Sequence, residues 1–401
     1  MLNGKVVVLG VTGSIAAYKM ANVASALVKE GAEVHVVMTK NATNFINPIT
    51  FETLTNNKCI VDTFDRNFEF NVVHVSLSQK ADVMLIAPAT ANIIGKLANG
   101  IADDMLSTMA LAANCKIIVS PAMNTLMYKN KIVQDNLKKL ENYGFEIIKP
   151  AVGRLACNSV GEGKLPDENI LIDYIKQEIE FQKDMEGINV LVTAGPTIEK
   201  IDPVRYITNH SSGKMGYAIA EIAAKRGANV LLVSGHTHIE PPMFTNVLEV
   251  ESANDMYNAI IENMDKYDII IKAAAVADYT VQNTSDEKIK KNDDKLNLEL
   301  IKTKDILKTI GEKRKNNQVI CGFSMETNNL IENSKKKLTS KKCNMIIANN
   351  LNDDGAGFGV DTNKVTIITK DNIEEFETLS KKQVAVEILN KVLELYENGE
   401  K

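Results

Sequence analysis

The chain has no CxxC pair. Its five cysteines, Cys59, Cys115, Cys157, Cys321 and Cys343, are scattered over 401 residues. That spacing argues against a structural zinc site, and an odd count with no framework fits a reducing compartment. No apolar run reaches the length of a membrane span. Met1-Leu2-Asn3-Gly4 leads straight into a strand-like run with no room for a signal peptide, so the expectation is a cytoplasmic protein. Positive charge is not in excess either: the net charge of −5 argues against general affinity for nucleic acid. The dinucleotide fingerprint G-x-G-x-x-G is missing, and the second strand ends in Met38-Thr39-Lys40 without a ribose-binding acid. Both absences weigh against an NAD-dependent oxidoreductase.

What is present is the composition of a globular protein, 45% hydrophobic and 24% charged, with length for two or three domains. Two strand–turn–helix units stand out. The first is Lys5–Lys19, with the turn Gly10-Val11-Thr12-Gly13-Ser14. The second is Asn189–Thr197, followed by Ser211-Ser212-Gly213-Lys214-Met215-Gly216. Each pairs a β-branched apolar run with a small-residue turn, which suits a ligand phosphate on backbone N–H groups at a helix N-terminus. Two such units imply two ligands and two chemistries.

In the first half, Val6–Gly10, Glu33–Thr39, Val83–Ala87, Lys116–Ser120 and Phe145–Ile148 read as strands. Ile15–Glu30, Asp104–Ala112 and Val133–Asn142 read as helices, with Gly31 a C-cap. After the helix Ile170–Phe181, the polar stretch Gln182–Gly187 marks a domain boundary, giving domains 1–186 and 187–401. The pattern then restarts with strands Val190–Ala194, Val230–Val233, Asp268–Ala275, Gln318–Phe323, Met345–Ala348 and Val365–Ile368. Its helices are Met215–Lys225 and a closing Lys381–Leu395. Thr280–Leu298 is polar and reads as a mobile loop. Alternating elements with near-continuous apolar strands predict α/β architecture: two doubly wound, mainly parallel sheets.

Gly13, Ser14 and Ile15 would suit a monophosphate, which favours FMN over NAD. A bland βα turn is at least as common for such a fragment. Ala87-Pro88-Ala89-Thr90-Ala91-Asn92 follows a buried strand, and small residues there let a flat ring approach. Three reactive candidates accompany them: His74, Asn124 in Pro121-Ala122-Met123-Asn124, and Cys157 in the Gly-rich stretch Gly153–Gly163, which reads as a flap. Singly, a histidine is most often structural and a cysteine a small buried residue.

As a set, Gly13–Lys19, His74, Ala87–Asn92, Ala102-Asp103-Asp104, Pro121–Asn124 and the Cys157 flap resemble the flavin-containing cysteine decarboxylases, specifically the phosphopantothenoylcysteine decarboxylase domain, over about residues 5–175. The family flap reads Cys-Gly and ends in Arg. Here Asn158 and Lys164 stand there; Asn tolerates the left-handed conformation a Gly would use, and Lys keeps the charge. The resemblance implies FMN bound by Gly13, Ser14, Ile15, Thr39, Pro88, Ala89, Thr90 and Asn92. It also implies Asn124 holding a substrate carboxylate, His74 assisting oxidation or decarboxylation, and Cys157 supplying a proton.

In the second half, Ser211 or Ser212 could cap the helix that follows, and Asp278 at a strand end could accept from a base or ribose. Lys288-Ile289-Lys290-Lys291 and Lys335–Lys342 would ordinarily be solvated charge runs. Over a triphosphate, their ammonium groups would offset the charge of leaving pyrophosphate. Together with Asp202–Gly216, Ala273–Tyr279, Lys302–Leu307, Gly322–Thr327 and Phe358–Asn363, these motifs are similar to phosphopantothenate–cysteine ligases over about residues 188–398. The resemblance implies a CTP site using Ser212, Ala274, Ala275, Asp278, Lys288, Phe323, Lys337 and Lys341. Asn209 would act at an acyl cytidylate and Lys288 in its aminolysis. Mg2+ would accompany CTP, with no residue assigned to it. The order of the two halves resembles the bifunctional enzymes of coenzyme A synthesis. The implied partners are small molecules only, and the implied assembly is a homo-oligomer, a dodecamer of trimers and dimers. A rival reading, a regulatory flavoprotein on an inactive decarboxylase fold, is opposed by the intact His74, Asn124 and Cys157.

Overall fold

The structure is a computed structural model that describes residues 2–63, 73–154, 160–290, 296–326, 329–350, 357 and 359–399; the side chains of 73–75, 326 and 350 lie outside that description. Its contacts divide the chain into two units, Met1–Gln182 and Lys183–Lys401.

The first unit carries strands β1 (Val6–Val11), β2 (Glu33–Met38), β3 (Val83–Ala89), β4 (Lys116–Pro121) and β5 (Glu146–Ile147) in the parallel order β2-β1-β3-β4-β5. That is the flavodoxin-like order, which places a ligand crevice between β1 and β3, where the winding reverses. Alternate residues of β1 enter opposite cores: Val7, Leu9 and Val11 join one, Val6 and Val8 the other. Both faces are covered, so the strand is apolar throughout.

The covering helices are α1 (Lys19–Lys29), α2 (Pro48–Thr55), α3 (Val73–Lys80), α4 (Ala91–Ala98), α5 (Met105–Ala112), α6 (Thr125–Tyr128), α7 (Lys131–Asn142) and α8 (Glu168–Ile179). Met20, Val23 and Leu27 of α1 share a core with Leu171 and Ile175 of α8. Ile93 and Leu97 of α4 share the opposite one with Met109 of α5 and Leu140 of α7. Where one helix over Ile15–Glu30 is expected, Ile15–Tyr18 instead forms a 3-10 turn before α1. Ser14 explains it: its hydroxyl accepts from Ala16 N and its carbonyl from Ala17 N, tightening the first turn.

A two-stranded antiparallel ribbon, β6 (Ala151–Arg154) and β7 (Val160–Lys164), flanks the flap. Cys157 and the rest of 155–159 lie outside the described residues, as do Asn71, Val72, Lys291, Thr327 and Phe358.

The second unit contains β8 (Asn189–Ala194), a short pair β9 (Ile198–Lys200) and β10 (Tyr206–Thr208), β11 (Asn229–Ser234), β12 (Asn246–Glu249) and β13 (Ile269–Lys272). It continues with a second short pair β14 (Tyr279–Val281) and β15 (Leu300–Lys302), then β16 (Val319–Glu326), β17 (Met345–Asn350), β18 (Thr362–Asn363), β19 (Thr366–Thr369), β20 (Ile373–Glu375) and β21 (Leu379–Ser380). Its main sheet runs β12-β11-β8-β13-β16-β17-β19-β20, parallel through β17 and antiparallel beyond. The first six strands follow the doubly wound dinucleotide-binding order, although the glycine fingerprint of that fold is missing. Helices α9 (Lys214–Lys225), α10 (Ala253–Asn263), α11 (Ile306–Lys313), α12 (Leu330–Ser340) and α13 (Lys381–Glu397) complete the unit.

Two expectations are corrected. The stretch Thr280–Leu298 is not loop throughout, because β14 pairs with β15 at Thr280↔Ile301. It is also tethered: Ser285 N donates to Ile201 O at 3.0 Å and Ile289 N to Asp202 Oδ2 at 3.1 Å. Neither Ser211 nor Ser212 caps α9. The cap is Gly213 in the left-handed conformation, φ 79°, and the Ser211 hydroxyl accepts from Gly213 N instead.

Candidate functional sites

The first unit has a cavity of about 500 Å3 at the strand ends. Of the expected residues it brings together Gly13, Ser14, Ile15, Thr90 and Asn124. Thr39, Pro88, Ala89 and Asn92 do not line it; Pro88 and Ala89 are buried and Asn92 is exposed. His74 falls within α3, with its side chain outside the described residues.

The crevice is built by short polar contacts. Thr12 Oγ1 donates to Pro88 O at 2.5 Å and accepts from Thr90 N at 3.1 Å, locking the β1 turn to the end of β3. Thr90 then caps α4 through Ile93 N. A Cβ on Gly13 would lie 2.8 Å from Asn41 Cβ, so only glycine lets that loop close. Thr39 Oγ1 is buried without a partner among the described residues.

Asn124 caps α6, its Oδ1 accepting from Leu126 N at 2.8 Å. The β7 strand is tied to the same loop: Met123 N donates to Gly163 O at 3.0 Å and Thr125 Oγ1 to Glu162 O at 2.8 Å. A Cβ at Gly163 would run into the Met123 carbonyl. Arg154 and Lys164, at the edges of the ribbon, also line the cavity, as does Lys19, which is paired with Asp167 and Glu168. Sequence reasoning gave Arg154 and Lys19 no role. The Ala102-Asp103-Asp104 motif lies outside this cavity. Asp104 caps α5, and although burial opposes it, hydrogen bonds from Lys96 and Ser107 hold its carboxyl below the usual range.

The second unit has a cavity of about 300 Å3 where its winding reverses. Asn209, Ser212, Ala274, Ala275, Asp278, Phe323 and Lys337 all line it; Lys288 and Lys341 do not. Close packing shapes this crevice. A Cβ on Gly216 would sit 2.5 Å from Ala194 Cβ and 2.9 Å from Thr193 O, so glycine lets α9 lie directly on β8. Ala274 N donates to Thr193 Oγ1 and Ala275 N to Gly195 O, which ends β13 at Lys272 and turns the chain into the pocket. Asn209 Nδ2 donates to Ala275 O at 3.0 Å.

Lys288 is exposed, and its neighbour Ile289 is bound by Asp202. Asp202 is buried, and hydrogen bonds from Arg205, with the amides of Val204, Arg205 and Ile289, hold its carboxyl well below the usual range. Lys341 is paired with Asp305, the N-cap of α11. Lys214, inside the Asp202–Gly216 motif, also lines the pocket, as do Lys272 and Lys381, which no sequence motif marks because one ends a strand and the other starts a helix.

Two doubly wound sheets, each with a crevice at its winding reversal, define a two-site α/β protein. Residues 1–180 match the family described as Flavoprotein, and residues 185–396 the DNA/pantothenate metabolism flavoprotein C-terminal domain. The coenzyme A biosynthesis bifunctional protein CoaBC of Bacillus subtilis is 44% identical over 399 residues, 98% of each chain. That of Haemophilus influenzae is 40% identical over 396 residues, 99% of each. A cysteine/cysteine sulfinic acid decarboxylase of an unknown prokaryotic organism is 44% identical over 356 residues, 87% of this chain and 99% of that one. The chain belongs to the CoaBC family of bifunctional coenzyme A biosynthesis proteins.

Proposed function

We propose that residues 187–401 join cysteine to 4'-phosphopantothenate with CTP, and that residues 1–186 decarboxylate the product, 4'-phosphopantothenoylcysteine, to 4'-phosphopantetheine. The observation that carries this reading is the 44% identity to the Bacillus subtilis protein over 98% of both chains. The chemistry is consecutive: the ligase product is the decarboxylase substrate.

The first crevice fits FMN. The tight Gly13-Ser14-Ile15 turn would hold its phosphate, and the Thr90 edge would take polar groups of the flavin. Bound FMN supplies reversible hydride transfer at the thiol-bearing carbon, which makes the neighbouring carboxylate able to leave as CO2. Asn124 holds that carboxylate. Its Oδ1 accepts from the α6 amide, so Nδ2 is the donor end. His74 would assist oxidation or decarboxylation, and the Cys157 thiol would give the proton that accompanies return of the hydride, so that the enethiol gains both hydrogens of the saturated product.

In the second crevice, the pantothenate carboxylate attacks the α-phosphate of CTP, forming an acyl cytidylate and releasing pyrophosphate. The cysteine amine then attacks the acyl carbon and CMP leaves. Asn209 is fixed by Ala275 O beside the acyl cytidylate, and Lys288 assists aminolysis. Ser212, Ala274, Ala275, Asp278 and Phe323 surround the nucleotide, with Lys337 and Lys341 toward its triphosphate. Mg2+ would accompany CTP and supply charge neutralisation at its phosphates, with no protein residue assigned to it. We place the enzyme in the cytoplasm as a dodecamer of trimers and dimers; no described helix is long and apolar enough to cross a membrane.

Incubation with phosphopantothenate, cysteine, CTP and Mg2+, following pyrophosphate and CO2 separately, tests the reading. CO2 release must depend on CTP, and heat must release FMN; released FAD or NAD would contradict the flavin assignment. The relative named as a cysteine/cysteine sulfinic acid decarboxylase favours a second reading, decarboxylation of free cysteine. CO2 from cysteine alone, without CTP or phosphopantothenate, would establish it.

A further inference from the structure

Four lysines line the second crevice, and three of them are engaged with the protein. Lys214 is paired with Asp361 at 2.6 Å and donates to Gly359 O. Lys337 donates to Phe323 O at 2.8 Å. Lys381 donates to the carbonyls of Gly357 and Val360. Lys341, next to this group, is held by Asp305.

Lys272 differs. It is the last residue of β13, paired in register with Thr193 and Gly322. By strand alternation it shares the face of Ile270, which packs in one core with Leu307 of α11 and Leu338 of α12. Its ammonium therefore rises at the end of an apolar layer, in the field of Lys337 from α12, Lys341 at the C-cap of that helix, Asp305 from the α11 cap and Asp278 from the loop after β13. No hydrogen bond or ion pair joins that ammonium to another described residue. Burial, with repulsion from Lys337, pushes it down to about 8. A half-buried, unpaired cation is unfavourable unless a ligand anion completes it.

We propose that Lys272 is the ammonium of this crevice that binds a ligand phosphate directly. This rests on the nucleotide-ligase reading above and adds a specificity-determining contact to it. Lys337 and Lys341, each already holding one protein partner, add their charge to the same phosphate region with their remaining donors. Two anions of the same chemistry could fill the position: the polyphosphate of the nucleotide, or the phosphate monoester of 4'-phosphopantothenate.

Calorimetric binding to the full-length protein separates them, using CTP, cytidine, 4'-phosphopantothenate and pantothenate. Lys272→Met keeps the length and apolar stem of the side chain, and Lys272→Arg keeps the charge. Loss of one charge-assisted hydrogen bond should weaken the phosphorylated ligand about 10-fold or more in Lys272→Met, and Lys272→Arg should recover most of it. The dephosphorylated counterpart should be unaffected. A loss confined to CTP assigns the nucleotide; a loss confined to 4'-phosphopantothenate assigns the monoester. Unchanged affinity for both phosphorylated ligands in Lys272→Met, with wild-type protein binding them, overturns the inference alone. Wild-type protein that binds no nucleotide overturns the ligase reading and the inference with it. An unchanged thermal transition of the second unit in each variant reports that the unit carrying Lys272 has folded.

Discussion

The Asp202 carboxylate accepts a hydrogen bond from the backbone N–H of Ile289 at 3.1 Å, 87 residues along the chain. It thereby ties the segment carrying Lys288 to the Asp202–Arg205 turn. Arg205 reinforces the tie, donating to Asp202 and to Ile289 O. Lys288 lies outside the lining of the crevice, so this anchor is what the structure offers for setting its position.

Asp202→Asn should therefore slow ligation about 10-fold while leaving decarboxylation of supplied phosphopantothenoylcysteine intact, because a neutral amide holds Arg205 and Ile289 more weakly. The depressed pKa fixes the pH window. The anchor is complete above the usual Asp range, about 3.9, and is lost only well below it. The deficit of Asp202→Asn should thus be constant from pH 6 to 9. A deficit that vanishes within that range would contradict the anchor. Arg205→Lys, with a single point charge in place of a fork, should give a milder loss.

Lys288→Gln should still form acyl cytidylate but pass it to cysteine slowly. Asn209→Asp should disturb the intermediate itself, since it sets a carboxylate beside an anionic phosphate. Rapid-quench detection of labelled acyl cytidylate distinguishes the two. Equal loss of both half-reactions in Lys288→Gln would make the lysine a general phosphate contact.

Cys157→Ser should stop the decarboxylase after CO2 loss, because a hydroxyl is a much poorer proton donor than a thiol. Mass spectrometry should find a product two hydrogens lighter than normal, with ligase activity retained. Saturated phosphopantetheine made at the wild-type rate would leave Cys157 as a packing residue.

Affinity for the phosphorylated ligand that Lys272 binds should fall as pH rises through about 8. The free Lys272 amine is a cation below that value and neutral above it, and phosphate binds the cation. The decline should be absent in Lys272→Met and shifted out of range in Lys272→Arg, whose guanidinium stays charged. Titrating CTP and 4'-phosphopantothenate separately into each protein at pH 7 and pH 9 measures it.

Gly216→Val should damage the second unit selectively. Its branched side chain would meet Ala194 and the Thr193 carbonyl where α9 crosses β8, costing about 1–3 kcal/mol by overpacking. Ligase activity should fall with the thermal stability of that unit, and flavin retention should not change.

Much of this protein was legible in its sequence because its sheets are covered on both faces. A strand buried on two sides must be apolar at every position, so β1, β3, β8 and β13 announce themselves as unbroken runs. Local chemistry was legible too. Gly13 and Ser14 make a tight turn from neighbouring atoms alone, with Ser14 Oγ accepting from Ala16 N two residues on. Other outcomes depended on partners far along the chain. The segment after Thr280 looked like loop because its fixing atoms, Ile201 O and Asp202 Oδ2, lie some eighty residues away. The α9 cap fell to Gly213 rather than a serine: its backbone is left-handed, φ 79°, and packs against Gly195 some eighteen residues earlier, where a Cβ would lie 3.3 Å from the Gly195 backbone. Lys272 carried no signal at all, being the end of an apolar strand. Only folding puts its ammonium among Lys337, Lys341, Asp278 and Asp305, because charge acts through space and not along the sequence.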